Sequence, residues 1–301
     1  MGIRATWVAR ALSESHAVVI GASGLVGGSL LRQLGTDAIG TYHQRARQGL
    51  MRLDARDRHE VAALLDRIKP EVIFFPAANP NVDWCEREPE EAAASNLEPL
   101  RIVIAAAPRT PIVAYSTDYV FDGHNGPYRE NDHVSPLSVY GRLKVELEAL
   151  VVAAGGLVIR TTGVFGWEPS PPRNFVLRLL GSLRQGTSIR LPSDQIANPT
   201  YVEDLAAVSI ELAREGAQGI WHVAGPDQLS RDAFGRVVAD AFGLSAALIE
   251  GLPTADLEQL AARPLRGGLV CERYRLRFGR DPVRPVRGAL AELRAQLDLV
   301  A

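Results

Sequence analysis

The sequence predicts an α/β fold, a doubly wound parallel sheet with a smaller C-terminal lobe, from three observations. Short apolar runs alternate with segments of helical periodicity from Ala17 to Ala224, as strands covered on both faces by crossover helices do. The first run, 17–20, passes at once into a glycine turn and a helical stretch. A later run, 111–115, ends in Ser116-Thr117, placing two hydroxyls at a strand's carboxyl end, where open sheets of this class bind ligands.

Composition sets the outer bounds. The chain has 301 residues, 47% of them hydrophobic, and a formal net charge of -2, which suits one large or two modest globular units with a substantial core. It has no long block of one charge sign and no apolar run of bilayer length, which points away from nucleic-acid and membrane partners and toward a small-molecule substrate. Cys85 and Cys271 are the only cysteines and lie far apart, an arrangement that supports neither a disulfide framework nor a zinc site and fits a reducing cytoplasm. No metal-ligand cluster is visible in the sequence. Residues 1–16 lack the apolar core and small-residue cleavage site of a signal peptide and read as an extra arm or a generous start-codon choice.

Taken in order, the run 17–20 is a buried strand followed by Gly21-Ala-Ser23-Gly24-Leu25-Val26-Gly27, which opens a helix over 25–34. A turn of this kind lets backbone N–H groups reach a pyrophosphate without side chains in the way, and the helix N-terminus adds favourable partial charge. Gly21, Ser23, Gly24, Leu25, Val26 and Gly27 are therefore expected against a dinucleotide, and the fold is expected to be Rossmann-type. The strand at 38–42 leads into His43-Gln-Arg45-Ala-Arg47, where a carboxylate would meet the ribose of NAD. None is there. Arg45 and Arg47 suit a 2′-phosphate, so NADP(H) is preferred and NAD(H) stays admissible, unless both arginines are solvated loop charges.

The strand 71–75 ends in Pro76-Ala77-Ala78-Asn79, small residues that let ribose and phosphates lie close, with Asn79 binding there or capping. Residues 89–107 read as one helix carrying Asn96. Residues 140–150 form a helix that puts Tyr140 and Lys144 on one face, four apart. A tyrosine hydroxyl, with an ordinary pKa near ~10, needs a neighbouring positive charge to exchange protons near neutrality. Lys144 supplies one. Further on, 219–224 is a strand in which His222 reads as a core residue, and Ser230-Arg231-Asp232 reads as the cap of a helix through Phe242.

Ser116-Thr-Asp-Tyr-Val-Phe-Asp-Gly123, followed by Tyr140-Gly-Arg-Leu-Lys144, resembles the extended short-chain dehydrogenase/reductase superfamily, within it the dTDP-4-dehydrorhamnose reductase-like family, and the glycine spacing is that of the extended reductases. The resemblance runs through most of the chain. It implies that Thr117 and Tyr140 bond the substrate carbonyl, that Tyr140 exchanges the proton, and that Lys144 anchors the nicotinamide ribose while keeping Tyr140 acidic. Asp118, Val120, Asn174 and Gln195 would lie beside the substrate, Asp118 being an auxiliary proton source or a loop anchor and Asn174 a ligand-facing amide or a helix cap. Asp54 would sit near the adenine or cap the helix over 58–68, and Asn96 would be structural. Asn81-Val-Asp-Trp-Cys-Glu86 resembles a loop of the family.

Two departures stand out. Rhamnose-forming reductases of this family carry a tryptophan soon after the arginine in the 157–166 strand, whereas this chain has Gly163 there and Trp167 beyond the turn; and the aspartate that usually follows Arg263-Pro264 is missing. The resemblance divides the chain into a Rossmann domain at 17–165, rejoined by 199–225, and a substrate-binding lobe at 166–198 and 226–301. It implies NADPH-dependent reduction of a nucleotide-linked 4-keto-6-deoxy sugar and allows a homodimer. The arginine-rich stretch 262–287 would suit a diphosphate or form a solvated surface. The rival readings are an NAD(P)-dependent nucleotide-sugar epimerase or dehydratase, and a non-catalytic NADP-binding subunit like the beta subunit of methionine adenosyltransferase.

Overall fold

The computed structural model describes residues 17–169, 171 and 173–299, so the arm at 1–16 and part of the proline-rich break at 169–172 lie outside the described residues. The first half comprises β1 (Ala17–Ile20), α1 (Leu25–Leu34), β2 (Ala38–Tyr42), β3 (Met51–Arg52), α2 (Arg58–Ile68), β4 (Val72–Phe75), α3 (Val82–Arg87), α4 (Pro89–Asn96), α5 (Glu98–Ala106), β5 (Ile112–Thr117) and α6 (Val139–Ala153). There follow β6 (Leu157–Thr161), β7 (Val164–Phe165), α7 (Phe175–Arg184), β8 (Ile189–Pro192), β9 (Ile196–Ala197), β10 (Thr200–Tyr201), α8 (Val202–Arg214) and β11 (Gly219–His222). The chain ends through β12 (Leu229–Ser230), α9 (Arg231–Ala241), β13 (Ile249–Leu252), α10 (Glu272–Phe278) and α11 (Val286–Asp298).

The main sheet has seven strands in the order β11-β6-β5-β4-β1-β2-β3, all pairings parallel. Its strands are mostly apolar because alternate residues feed two different cores, and their polar side chains, Thr41, Arg52, Ser116, Thr117, Arg160, Thr161 and His222, gather toward the carboxyl ends. Val19, Phe74, Val113 and Ile159 pack on one face, and Val18, Ile73, Phe75, Ala114 and Val158 on the other. Each such buried Val, Ile or Phe side chain contributes roughly 1.5–3 kcal/mol, and the buried polar residues of the sheet, Ser116, Arg160 and His222 among them, are hydrogen-bonded. Strand order reverses between β1 and β4, which opens a crevice at their carboxyl ends.

Three expectations about elements need correction. Residues 89–107 are two helices, because Pro99 has no N–H to continue the ladder and the chain turns at Leu97 (φ -109°, ψ -46°). Residues 82–87 are helical, started by the Asn81 side chain, which accepts from Trp84 N at 2.9 Å. The strand expected over 157–166 breaks at Gly163, whose φ of +57° turns the chain out of the sheet, and β7 pairs with β10 instead. From that point α7, α9 and two further strand pairs, β8 with β13 and β9 with β12, build up over the carboxyl edge before and after β11 rejoins the sheet. Phe234 of α9 is buried against Phe165 and Phe175, with ring centroids 5.3 and 5.6 Å away.

Candidate active site

A cleft of about 1250 Å³ runs between the carboxyl ends of β1, β4, β5 and β6 and the segments that follow β6. At its floor the turn after β1 is shaped by close packing. Gly21 has φ +98°, and a Cβ there would fall 2.9 Å from the Cα of Ala77, so Gly21 and Ala77 are small because the two strand ends touch. A Cβ on Gly27 would lie 2.3 Å from the Gly21 carbonyl oxygen. Gly24 is the N-cap of α1, with no side-chain cap and no acid in the first turn, so the leading N–H groups of α1 have no side-chain acceptor. Such an end fits a phosphate. Gly21, Ser23, Gly24, Leu25, Val26, Gly27, Ala77, Ala78 and Asn79 all line the cleft, and so does Arg45, which makes no ion pair with a described residue. These residues fit a dinucleotide.

Not every expected cofactor residue is free to act. Arg47 does not line the cleft. Asp54 lines it, but its carboxylate already accepts from Arg56 N at 3.0 Å and meets His43 at 3.4 Å; the cap of α2 is Asp57, which accepts from His59 N and Glu60 N. The Asn79 carbonyl and N–H are both held by Asn96, which is 3% exposed, so Asn96 is structural.

Thr117, Tyr140 and Lys144 all line the cleft and are buried to 9% exposure or less. Ser138 caps α6 through Gly141 N and sets the phase that turns Tyr140 and Lys144 toward the end of β5. Lys144 Nζ donates to the Tyr115 carbonyl at 2.8 Å and stands 5.8 Å from the centre of the Tyr140 ring. Burial pulls the Lys144 ammonium down to about 8, while Glu148 and Cys85 raise it. Burial pushes the Tyr140 hydroxyl well above its usual range, and Tyr119, Cys85 and Asp118 push it further.

The Thr117 hydroxyl donates to Asp118 Oδ1 at 3.3 Å and accepts from Tyr119 N, capping the short turn Asp118–Val120. It donates to a substrate oxygen only by turning its proton away from Asp118. Its neighbour Ser116 donates to Glu148 Oε1 at 2.5 Å. Asp118 is 2% exposed and accepts from Gly268 N at 3.1 Å, which makes it a loop anchor; burial raises its carboxyl, opposed by that amide and by the Thr162 and Thr117 hydroxyls. Val120 is fully buried and does not line the cleft, because the turn at Asp118–Val120 swings it into the core with Phe121.

Asn174 and Gln195 line the cleft and are already bonded. Asn174 caps α7 through Leu177 N and donates to the Gly166 carbonyl at 3.0 Å; Gln195 donates to Gln259 at 2.7 Å and to Thr254 at 3.0 Å. Trp167 does not line the cleft and packs under Arg32, 4.9 Å from the guanidinium. The arginines of 262–287 mostly staple helices. Arg275, Arg277, Arg280, Arg284 and Arg287 pair with Asp281, Glu215, Glu211, Asp204 and Asp240, and only Arg263, paired with Asp83, lines the cleft. His222 is a fully buried core residue.

Sequence reading missed Arg231. It opens α9, lines the cleft, lies 4.6 Å over the Phe175 ring and makes no ion pair with a described carboxylate. Burial lowers its pKa, and Tyr119 and Asp118 oppose that. Its only sequence signal is the cap at Ser230, which makes residue 231 the first of a helix pointing at the crevice. Thr161 was also missed; its Oγ1 is buried in the cleft wall without a hydrogen-bond partner, beside Thr117 in register.

Among the described residues no cluster could hold a metal, and no helix is long and apolar enough to cross a membrane. The family model described as the RmlD substrate binding domain matches residues 15–298. The chain is 34% identical over 267 residues to a probable low-salt glycan biosynthesis reductase of Haloferax volcanii, covering 84% of this chain and 89% of that one. It is 32% identical to a dTDP-4-dehydrorhamnose reductase of Aggregatibacter actinomycetemcomitans (88% and 94% covered) and 30% identical to the methionine adenosyltransferase 2 subunit beta of Danio rerio (86% and 84%). The crystal structure of a dTDP-4-dehydrorhamnose reductase from Clostridium acetobutylicum superposes with a TM-score of 0.84 at 27% identity, over 94% of this chain and 99% of that one. With its seven-stranded parallel sheet matching such structures, the chain belongs to the RmlD, or dTDP-4-dehydrorhamnose reductase-like, family of extended short-chain dehydrogenases/reductases.

Proposed function

We propose that the protein is an NADPH-dependent reductase of a nucleotide-linked 4-keto-6-deoxy sugar. The observation that carries this reading is that one cleft joins the uncapped N-terminus of α1 to the buried Thr117, Tyr140 and Lys144. Gly24 and the first turn of α1 would hold the pyrophosphate, and Arg45 the 2′-phosphate. Bound there, NADPH supplies the hydride.

The chain's own residues handle the proton. Tyr140, whose hydroxyl makes no hydrogen bond to a described residue, gives its proton to the substrate oxygen as negative charge develops there. Lys144 then faces the tyrosinate left behind and stabilises it. Thr117, turned from Asp118, donates a second hydrogen bond to the same oxygen. Arg231, unpaired over Phe175, takes the diphosphate, with the segments 166–198 and 226–301 forming the substrate side of the cleft. In the test, Tyr140→Phe lowers turnover roughly 10²–10⁴-fold and leaves the NADPH dissociation constant within a factor of three. Retained turnover sinks the assignment.

The Danio rerio relative supports a second reading, a cofactor-binding subunit that serves a partner enzyme. NADPH binding without turnover on any keto sugar, together with a stable complex with a methionine adenosyltransferase, would favour it.

A further inference from the structure

Only two of the 33 basic residues in the chain are lysines, Lys69 and Lys144. An arginine at 144 would be charged at any pH, whereas a buried lysine titrates, so the group that sets its charge matters. Glu148 follows Lys144 by one turn of α6, so Tyr140, Lys144 and Glu148 share a face. The Glu148 side chain is 5% exposed, and nothing in the proton-transfer scheme uses it. It is pinned on three bonds: Arg160 of β6 donates from Nε at 2.8 Å and from Nη2 at 2.6 Å, and Ser116 of β5 donates at 2.5 Å.

We propose that Glu148 is a positioning residue for proton transfer: fixed by Arg160 and Ser116, its negative charge keeps Lys144 an ammonium and seats the Tyr140–Lys144 face of α6 over the end of β5. This rests on the reading that Tyr140 and Lys144 carry the proton. The other groups facing Lys144 are the Tyr140 ring from α6, the Tyr115 carbonyl from β5 and the Cys85 thiol from α3, which burial holds neutral by raising its pKa. Arg160, on the far side of Glu148, also reaches His222 Nε2 of β11 at 3.4 Å; burial and Arg160 hold that imidazole neutral, down at about 3. Glu148 is therefore the fixed anion of the group.

The full-length protein labelled with carbon-13 at lysine Cε gives two lysine signals, and Lys69→Arg assigns them. Glu148→Gln should lower the Lys144 titration by roughly one pH unit or more. Should Glu148→Gln fail to fold, Glu148→Gln with Arg160→Met removes both buried charges together and should still lower it, since Glu148 lies one turn from the ammonium. Glu130→Gln is the control: Glu130 is a buried carboxylate on the same network, accepting from His222 N and Arg273 N, and its loss should leave Lys144 in place. An unmoved Lys144 in both Glu148 variants, or an equal shift in Glu130→Gln, overturns the proposal. The alkaline limb of keto-sugar reduction should move down with the NMR shift. A shift with no turnover in any form, wild type included, would count against the reductase reading and leave Glu148 as the group that sets the Lys144 charge.

Discussion

Lys144 works against the stability of the fold that holds it. Its ammonium titrates near 10.4 in an unfolded chain and is pulled to about 8 by burial in the native one. Between those values the unfolded state binds more protons, so stability rises with pH from about 8 to about 10; below 8 the full penalty is present. Lys144→Met should therefore have a melting temperature at pH 7 equal to or above that of the wild type, with the gap closing by about pH 10, and should lose turnover. A lower melting temperature at pH 7 would mean that the bond to the Tyr115 carbonyl outweighs burial. The Tyr140 and Lys144 pair was legible because a spacing of four on a helix admits one geometry. The directions of Ser116, Val120 and Arg231 were not, since they depend on Glu148, the turn at Asp118–Val120 and the start of α9, all set by distant packing.

At the scale of elements, the turn after β1 combines a binding role and a packing role that substitution separates. Gly27→Ala puts a methyl 2.3 Å from the Gly21 carbonyl oxygen, on backbone that has no room to give, and should lower stability by roughly 2–4 kcal/mol in denaturant unfolding. Gly24→Ala meets that oxygen at 3.4 Å with an ordinary φ of -86°, so it should unfold within about 1 kcal/mol of the wild type and bind NADPH at least tenfold more weakly. Equal cofactor affinity in Gly24→Ala would remove the α1 terminus from the site. The order of β1, α1, β2, α2, β4, β5, α6 and β6 was readable from apolar runs and helical periodicity. The division at Leu97 was not, because helical periodicity runs through Pro99 and only the missing N–H marks the break.

For the molecule as a whole, the sheet places the glycine turn and the Tyr140 face on one edge, and the segments after β6 bring cationic and aromatic groups against them. The arginines of α10 and of the stretch leading into α11 chiefly bind these terminal helices to α8 and its surroundings. Arg284 pairs with Asp204 at 2.6 Å and lies 5.4 Å over Tyr201, while Arg231 faces the cleft. Arg284→Met should lower stability by roughly 1 kcal/mol, discounted for its partial exposure, and leave the KM for a nucleotide-linked keto sugar unchanged; Arg231→Met should raise that KM about tenfold or more with little change in melting temperature. The reverse pattern would return substrate binding to the tail. Charge composition drew attention to the tail because pairing partners far apart in sequence are invisible there.

Keto-sugar reduction by NADPH is read out by steady-state absorbance of the reduced cofactor when the wild-type protein is mixed with a dTDP-linked 4-keto-6-deoxy sugar, using NADPH and NADH in parallel. Oxidation is expected to require the keto sugar and to run faster with NADPH. Tight NADPH binding with no oxidation above the sugar-free background would contradict it.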